Sequence, residues 1–207
     1  MILIPQYRTA RRASAVADIS IIDEDTANGA TNLSVTFNAT PSDGELLVFV
    51  YSSLAAATPP AGLTQAATAT NGASNARIWY RYASSEASAT YTFTCAANGA
   101  LYACRLSGGT IGDASSNTGS GVTSLPAGSA AVDADDNAYV VACWNMGGSH
   151  SIPNVDLSFG FEISLTSSAA RGHVASRKYT TGASGQNPTM TWVTSRGTAS
   201  AIMVINP

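Results

Sequence analysis

Short apolar runs separated by polar turns dominate this chain, and two of these runs are apolar on both alternating faces. They are LLVFVY in DGELLVFVYSS (43–53) and YVVACW in DDNAYVVACWN (135–145). Successive side chains of a strand point to opposite faces, so each run predicts a strand that is covered on both sides. The outer face of 46–52 therefore needs a cover, either loops of the same chain or a neighbouring molecule.

The rest of the chain shows almost no helical period and many short strand signals. Turn material such as TPPAG, TNGASN and GGSHSIPN separates them. This spacing predicts an all-β protein, a jelly-roll-like antiparallel β-sandwich. The predicted strands are 17–22, 33–38, 46–52, 63–69, 76–83, 90–95, 100–106, 121–125, 138–144, 155–165, 173–180, 189–194 and 199–205.

The two apolar runs also open two related halves of the chain, about 16–107 and 108–207. ARIWYRYAS and TYTFTC follow the first run, and HVASRKYTT and TMTWVTS follow the second, which aligns Tyr82 with Tyr179 and Arg81 with Lys178. Without a clear linker between the halves, we predict one sandwich domain, 15–207, in which equivalent strands interleave. Two small sandwiches are the alternative.

Composition narrows the class of protein. Of 207 residues, 11% are charged and 45% are hydrophobic, the balance of a packed protein and not of a disordered one. The formal net charge of -3 supplies no basic stripe for phosphates, so nucleic acid is not an expected partner. No run approaches the roughly 18 apolar residues of a membrane span, so no membrane partner is expected either.

The first residues, 1–14, are predicted to form an N-terminal arm. An apolar start precedes the basic residues, the reverse of a secretory signal, so we expect assembly in the cytoplasm. The arm either docks on a partner subunit or is a frayed terminus. Its candidate docking residues are Ile2, Leu3, Ile4, Arg8, Arg11 and Arg12.

The three cysteines are Cys95, Cys104 and Cys143. Asn98-Gly99 predicts a two-residue hairpin that places Cys95 opposite Tyr102, not opposite Cys104. We therefore expect free thiols that are mostly buried and act as small apolar side chains.

Candidate catalytic and cofactor chemistry is scarce in the sequence. His150 and His173 lack the spacing of a metal site and are expected to be solvated. Glu45, Glu86 and Glu162 show no local pairing of the kind that glycoside hydrolysis uses. We predict no catalytic residue, no metal site and no cofactor.

Two acidic clusters, 23–25 and 133–136, raise the question of calcium. Oxygen ligands at alternate positions before a glycine turn are what a calcium loop needs. In the first cluster, however, the twelfth position is Ser34 and not a bidentate glutamate. Structural turns are therefore favoured over calcium at both clusters.

The aromatic strand ARIWYRY (76–82) offers the candidate contact site. Alternation places Arg77, Trp79 and Arg81 on one face of the strand. Ile78, Tyr80 and Tyr82 then lie on the other face, which we expect to be the core face. Trp and Arg on an outer face are typical of a contact with a protein or a sugar ring. The alternative is a cation–π cluster that a loop of the same chain covers.

The order of five motifs carries a resemblance to a family. GELLVFV, TPPAGLT, IWYRYAS, ATYTFT and AIMVINP resemble the pattern of β-sandwich proteins encoded in tailed bacteriophages and prophages, over about 30–207. Leu63 stands where the family pattern has Trp after Pro-Pro-x-Gly, and the second half lacks that motif. The role of that Trp in relatives therefore does not carry over to this chain.

The resemblance implies a non-enzymatic virion structural protein, on the capsid surface or in the tail. We expect a capsid decoration protein or head-fibre component that contacts the major capsid protein or other virion proteins and forms a homo-oligomer. The alternative is a carbohydrate-binding module that attaches the particle to the host surface through a glycan. A glycan hydrolase comes third.

Overall fold

The computed structural model describes residues 18–29, 31–147, 153–166 and 171–207, and its regular elements are all β-strands. The predicted all-β class and antiparallel sandwich are confirmed, whereas the predicted docking residues of the arm lie outside the described residues. No helix in the described ranges is long and apolar enough to cross a bilayer. The strands are β1 (Ile21–Gly29), β2 (Asn32–Thr36), β3 (Leu46–Ser53), β4 (Ala57–Thr58), β5 (Thr64–Asn71), β6 (Ser74–Tyr82), β7 (Thr90–Cys95), β8 (Gly99–Leu106), β9 (Thr110–Pro126), β10 (Val132–Ala134), β11 (Tyr139–Met146), β12 (Asn154–Val155), β13 (Gly160–Thr166), β14 (Arg171–Lys178), β15 (Ala183–Gln186) and β16 (Thr189–Asn206).

Two large antiparallel sheets form the centre of the molecule, and each comes from one half of the chain. The first half forms the sheet β1-β8-β3-β6-β5, and the second half forms β12-β16-β11-β14-β13, with β9 also paired to β16. The predicted interleaving of strands is therefore wrong. The two halves instead pack their large sheets face to face.

The duplication is visible in the strand order of these sheets. Strands β9, β16, β11, β14 and β13 of the second half occupy the places of β1, β8, β3, β6 and β5 in the first. The halves differ at two connections between strands. In the second half, the single strand β9 corresponds to both β1 and β2, and the single strand β16 corresponds to both β7 and β8. Two related halves thus share one strand order.

The turns before β3 and β11 fix how the halves align. Gly44 (φ 87°) and Asn137 (φ 62°) are the left-handed residues of these turns. Glycine adopts this conformation freely, and asparagine is among the few other residues that tolerate it. Leu46 and Tyr139 follow two residues later as the first residues of β3 and β11, so they are equivalent.

This equivalence corrects the sequence alignment by one residue. Leu46 pairs with Tyr82, whereas Tyr139 pairs with Lys178. Tyr82 therefore corresponds to Lys178 and not to Tyr179 as predicted. The repeated aspartates misled the alignment, because Asn137, and not the preceding aspartate, takes the place of Gly44.

The main core lies between the two large sheets. Inward side chains of β3, β6 and β8 meet those of β11, β14 and β16 there, and burial of each large one contributes about 1.5–3 kcal/mol. The buried set includes Leu46, Val48, Val50, Ile78, Tyr102, Cys104, Leu106, Tyr139, Val141, Cys143, Val174, Ala201, Met203 and Ile205.

The outer face of β3 is covered by the same chain. Strands β2, β7 and β4 form a three-stranded sheet, and a second core fills the space between it and the first large sheet. Leu47, Phe49 and Tyr51 point into this core, where Phe49 lies 5.4 Å from Phe93 between ring centroids. A separate core covers the outer face of β11. Both apolar runs are thus buried on both sides.

The predicted hairpin at Asn98-Gly99 is not formed. Strand β7 belongs to the outer sheet and β8 to the large sheet, so the chain changes layers between them. Gly99 instead pairs with Ser53 and Gly29. A Cβ at Gly99 would lie 2.6 Å from the Cβ of Ser53, so this close strand approach requires glycine.

Candidate functional site

Trp79 is buried inside the molecule and is not a surface residue. Its side chain lies on the predicted face of β6, but only 3% of it is exposed. The ring packs 6.0 Å from that of Tyr51 and 5.4 Å from that of Phe93. The expectation of an exposed contact site is corrected, since the chain's own outer sheet covers this face.

The two arginines beside Trp79 are also engaged within the chain. Arg77 donates from Nη2 to Oδ1 of Asn75 at 3.4 Å. Arg81 forms an ion pair with Glu86, donates to the backbone oxygen of Ala61 at 3.2 Å, and lies 5.2 Å above the ring of Tyr91. The alternative of an internally covered cation–π cluster therefore describes Arg81, which fastens the loop after β4 to the sheet.

The first acidic cluster holds the layers together. Strand β1 replaces the predicted turn, and the carboxylates of Asp23 and Asp25 accept hydrogen bonds from the backbone N–H groups of Asn38 and Thr36. Because the carboxylates accept these N–H groups, they connect β1 to the segment that includes β2. Glu24 is exposed, and it accepts a hydrogen bond from the hydroxyl of Tyr102.

The second acidic cluster lines an open pocket of ≈ 480 Å³. Asp136 lies in the expected turn before β11 and accepts from the N–H of Gly182 at 2.5 Å. Asp133 instead lies in β10 and accepts from the N–H of Gly185 at 2.7 Å, so the predicted turn does not include it. The lining residues are Ala134, Asp135, Asp136, Gly182 and Pro207. Within the described ranges, no group of three or more His, Cys, Asp or Glu is placed to hold a metal ion.

The structure corrects the prediction for His173 and confirms the prediction for the cysteines. His173 is fully buried, with Nδ1 2.9 Å from Oγ of Ser164, so the expectation of a solvated side chain was wrong; His150 lies outside the described residues. All three cysteines are free and buried, as predicted. Burial raises the pKa of Cys143 to about 12, which keeps this thiol neutral.

Glu45 has a structural partner that the sequence did not indicate. Arg105 donates from Nη2 to Glu45 Oε1 at 3.0 Å, and a second bond joins its Nε to Oε2. The hydrogen bonds from Arg105 lower the pKa of Glu45. This two-point pair fixes the turn before β3 to β8.

A polar seam crosses the interface between the halves at the side where β1 and β13 lie. We use this name for Glu24, Tyr102, Tyr139, Glu162 and Ser176. Tyr102 donates to Oε2 of Glu24 at 2.9 Å, and its hydroxyl lies 2.9 Å from that of Tyr139 in the other half. Ser176 donates to Oε1 of Glu162.

Electrostatics distinguish this seam from the surrounding core. Burial raises the pKa of Tyr102 and of Tyr139, so both phenols stay protonated. Burial, with a smaller contribution from the charge of Glu24, raises the pKa of Glu162. Sequence reasoning missed the seam because its carboxylates lie in different halves, on strands that do not pair.

No protein family, curated protein or solved structure matches the chain when sequence and fold are compared.

Proposed function

We propose that this protein is a non-enzymatic structural component of a tailed-bacteriophage particle, a capsid decoration or head-fibre protein on the virion surface. The motif order from GELLVFV to AIMVINP supports this class of protein. The structural observation that carries the proposal is an exposed apolar pair, Ile21 and Ile22, on an edge strand.

Ile21 and Ile22 are 42% and 43% exposed, although isoleucine is among the residues most often buried. They begin β1, which is the edge strand of the first large sheet and therefore presents one row of backbone groups without a strand partner in the described chain. Proteins usually blunt such edges with charge or cover them. A partner that adds a strand or packs on this edge would bury both side chains.

The edge strand β1 is available for contacts between protein subunits. We propose the arm, residues 1–14, which precedes β1 in sequence, as a second docking element. The partners we propose are the major capsid protein or other virion proteins, with homo-oligomer contacts. Burial of interface across neighbouring subunits would stabilise the assembled shell by mass action.

The glycan-binding alternative rested on an outward Trp79. Because Trp79 lies between two sheets of its own chain, this support is lost. The edge strand β1, with Ile21 and Ile22, replaces Trp79 as the candidate contact surface.

The test replaces both edge isoleucines by threonine in the phage and measures copies of the protein per purified particle. Threonine keeps the β-branched shape that suits a strand but removes apolar surface. We expect roughly a tenfold or larger loss of occupancy, because truncating interface anchors typically costs on the order of 2 kcal/mol or more. A second variant that lacks residues 1–14 tests the arm in the same assay.

The matched control is Val193→Thr, because Val193 is 81% exposed but lies on another strand, β16. This variant should retain normal occupancy. Full occupancy of the double isoleucine variant, or absence of the wild-type protein from particles, would contradict the proposal. The wild-type copy number then separates locations, since it should match the capsid subunits or, in a vertex or tail part, a much smaller number.

A further inference from the structure

The open edge of β1 offers more hydrogen-bond acceptors than donors. The N–H group of Glu24 donates to the carboxylate of Asp23 at 2.9 Å, so the strand's own side chain occupies it. The N–H group of Thr26 donates to Asp25 in the same way at 2.8 Å. The pairing of β1 with β8 has no register shift from Asp23 to Gly29, and the opposite side of β1 has no strand partner in the described chain. A segment that brings its own hydrogen-bond donors therefore fits this edge.

Three consecutive carboxylates make the same edge negative. Among the described residues, Asp23, Glu24 and Asp25 form no ion pair, since the cations of the recorded pairs are taken by other acids. Glu24 is exposed, and its Oε2 accepts from the hydroxyl of Tyr102 at 2.9 Å. This hydrogen bond holds the Glu24 side chain in place while its second oxygen can accept from a partner.

The exposed isoleucines complete the edge. Ile21 and Ile22, 42% and 43% exposed, come directly before the acidic residues. The edge thus combines an apolar end with an anionic stretch. A complementary segment would carry apolar and basic side chains and no acidic ones.

The arm has this composition. Residues 1–17 contain no Asp or Glu, and their three basic residues give them a formal charge of +3. Seven basic and thirteen acidic residues remain in 18–207, a formal charge of -6. Each arginine supplies five N–H donors and no acceptor, which matches an edge rich in acceptors. The apolar and basic residues of the arm are Ile2, Leu3, Ile4, Arg8, Arg11 and Arg12.

We propose that the arm of a second copy docks on the edge of β1, so that arms passed between copies build a homo-oligomer. The inference rests on the contact role proposed for β1 and names the occupant of that edge. Because each copy then gives one arm and receives one, the contacts close into a ring, and a reciprocal dimer is the smallest such ring.

The start of the described chain favours exchange between copies over a contact within one chain. Lys178 lies with its Nζ 3.0 Å from Oδ1 of Asp18 and donates to the backbone oxygen of Ile19 at 2.8 Å. Strand β14 of the second half therefore holds the residues that follow the arm. To reach its own β1, the arm would have to reverse within 13–17, ASAVA, which has no Gly, Pro, Asn or Asp for a turn. Docking on a neighbouring copy needs no such reversal.

Direct pairing of two β1 edges is disfavoured by charge. Residues 23–25 lie at the middle of β1, so an antiparallel pair about a two-fold axis would bring the two acidic runs together. Like charges on directly opposite positions destabilise a strand pair. The arm is the segment of this chain that brings the opposite charge to the edge.

The experiment measures association of the isolated full-length protein by sedimentation velocity. One variant carries Arg8→Glu, Arg11→Glu and Arg12→Glu, which leaves only the edge competent; the other carries Ile21→Lys and Ile22→Lys, which leaves only the arm competent. Wild type should contain at least two copies and each variant alone should be monomeric, whereas a mixture of the two variants should form a complex. A monomeric wild type, an oligomer that persists in either variant, or a mixture that stays monomeric would overturn the proposal.

Two controls match these variants. Val193→Lys adds a positive charge at an 81% exposed position on β16, so it should associate like wild type. Replacement of the three arm arginines by lysine keeps the charge and should retain the oligomer that the glutamate replacements abolish. This comparison also stands if the edge variant does not fold, and equal association of the lysine and glutamate variants would refute the proposal.

The result separates this inference from the proposed function. A protein that is monomeric in solution but present at full copy number in particles would overturn the arm exchange alone. An oligomer that is absent from particles would overturn the proposed virion role alone.

Discussion

Gly172 and Ser52 touch across the interface between the halves, and the contact leaves no room for a side chain on Gly172. A Cβ built on Gly172 would lie 2.7 Å from the backbone oxygen of Ser52 and 3.0 Å from the Cβ of Ala100. The hydroxyl of Ser52 in turn donates to the backbone oxygen of Trp144. This end of the interface is therefore set by backbone-to-backbone approach.

Gly172→Ala should consequently destabilise the protein by about 1–3 kcal/mol, because the two sheets must separate locally to admit the methyl group. The free energy of unfolding from urea denaturation measures this loss. Gly160→Ala is the matched control, since Gly160 also lies in a strand and a Cβ there would meet no atom within 4 Å. Equal stability of the two variants would contradict the described packing.

Trp79→Ala should destabilise the protein by about 3–5 kcal/mol, the range for truncating a buried large aromatic residue. The cavity would open between the large sheet and the outer sheet, where Trp79 contacts Tyr51 and Phe93. Thermal and urea unfolding followed by circular dichroism measure the effect. Val193→Ala should change stability by less than about 0.5 kcal/mol, as expected for a surface position. A Trp79→Ala variant as stable as wild type would show that Trp79 is outside the core.

The Glu45–Arg105 pair predicts that the stability of the protein depends on pH. Arg105 lowers the pKa of Glu45, so the pair contributes stability above the unfolded pKa of about 4.3, and this stability is lost as the pH falls through the folded pKa. Glu45→Gln should cost about 1–3 kcal/mol at pH 7, because hydrogen bonds to a charged group are lost. The difference from wild type should shrink at acid pH in urea titrations. A cost that stays constant down to acid pH would mean that the pair does not stabilise the turn.

The two-half architecture predicts the behaviour of a fragment. Residues 1–107 contain all strands of the first large sheet and of its outer sheet, so the fragment should keep the core around Phe49 and Phe93. It would expose the inner face of β3, including Val48 and Val50, which the second half normally covers. We expect β-rich circular dichroism together with self-association in light scattering. A monomeric, fully soluble fragment would contradict the described interface.

Alternation along single strands made much of this fold predictable from the sequence. In the strand 76–82, Ile78 and Tyr80 face the main core as predicted, because the period of two follows directly from backbone geometry, and the run 46–52 is buried on both sides. Tyr82, which was also expected in the core, lies at the end of the strand and is 45% exposed. The sequence could not predict what covers each face of a strand. The pattern around Trp79 is the same whether another segment of this chain or a second protein packs on it.

The missed strands have a different cause. The segment TIGDASSNTGSG belongs to β9, which is an edge strand of its sheet. It is largely polar, so it shows no alternation of apolar residues that would predict a strand. Asp23 and Asp25 occupy a strand because they accept backbone hydrogen bonds from another segment. The seam, likewise, depends on which sheets face each other, and that is a tertiary property without a local signature.

The long strand β16 has a consequence for how the chain folds during synthesis. Strand β16 lies between β11 and β9 in the second large sheet and also pairs with β12, yet it follows all the other described strands in sequence. The first half can complete its sheet once Leu106 has left the ribosome, whereas the second half lacks this interior strand until Asn206 emerges. Contacts of such large sequence separation form slowly and leave apolar strands exposed meanwhile. The finished first half would then act as the template on which the second sheet assembles.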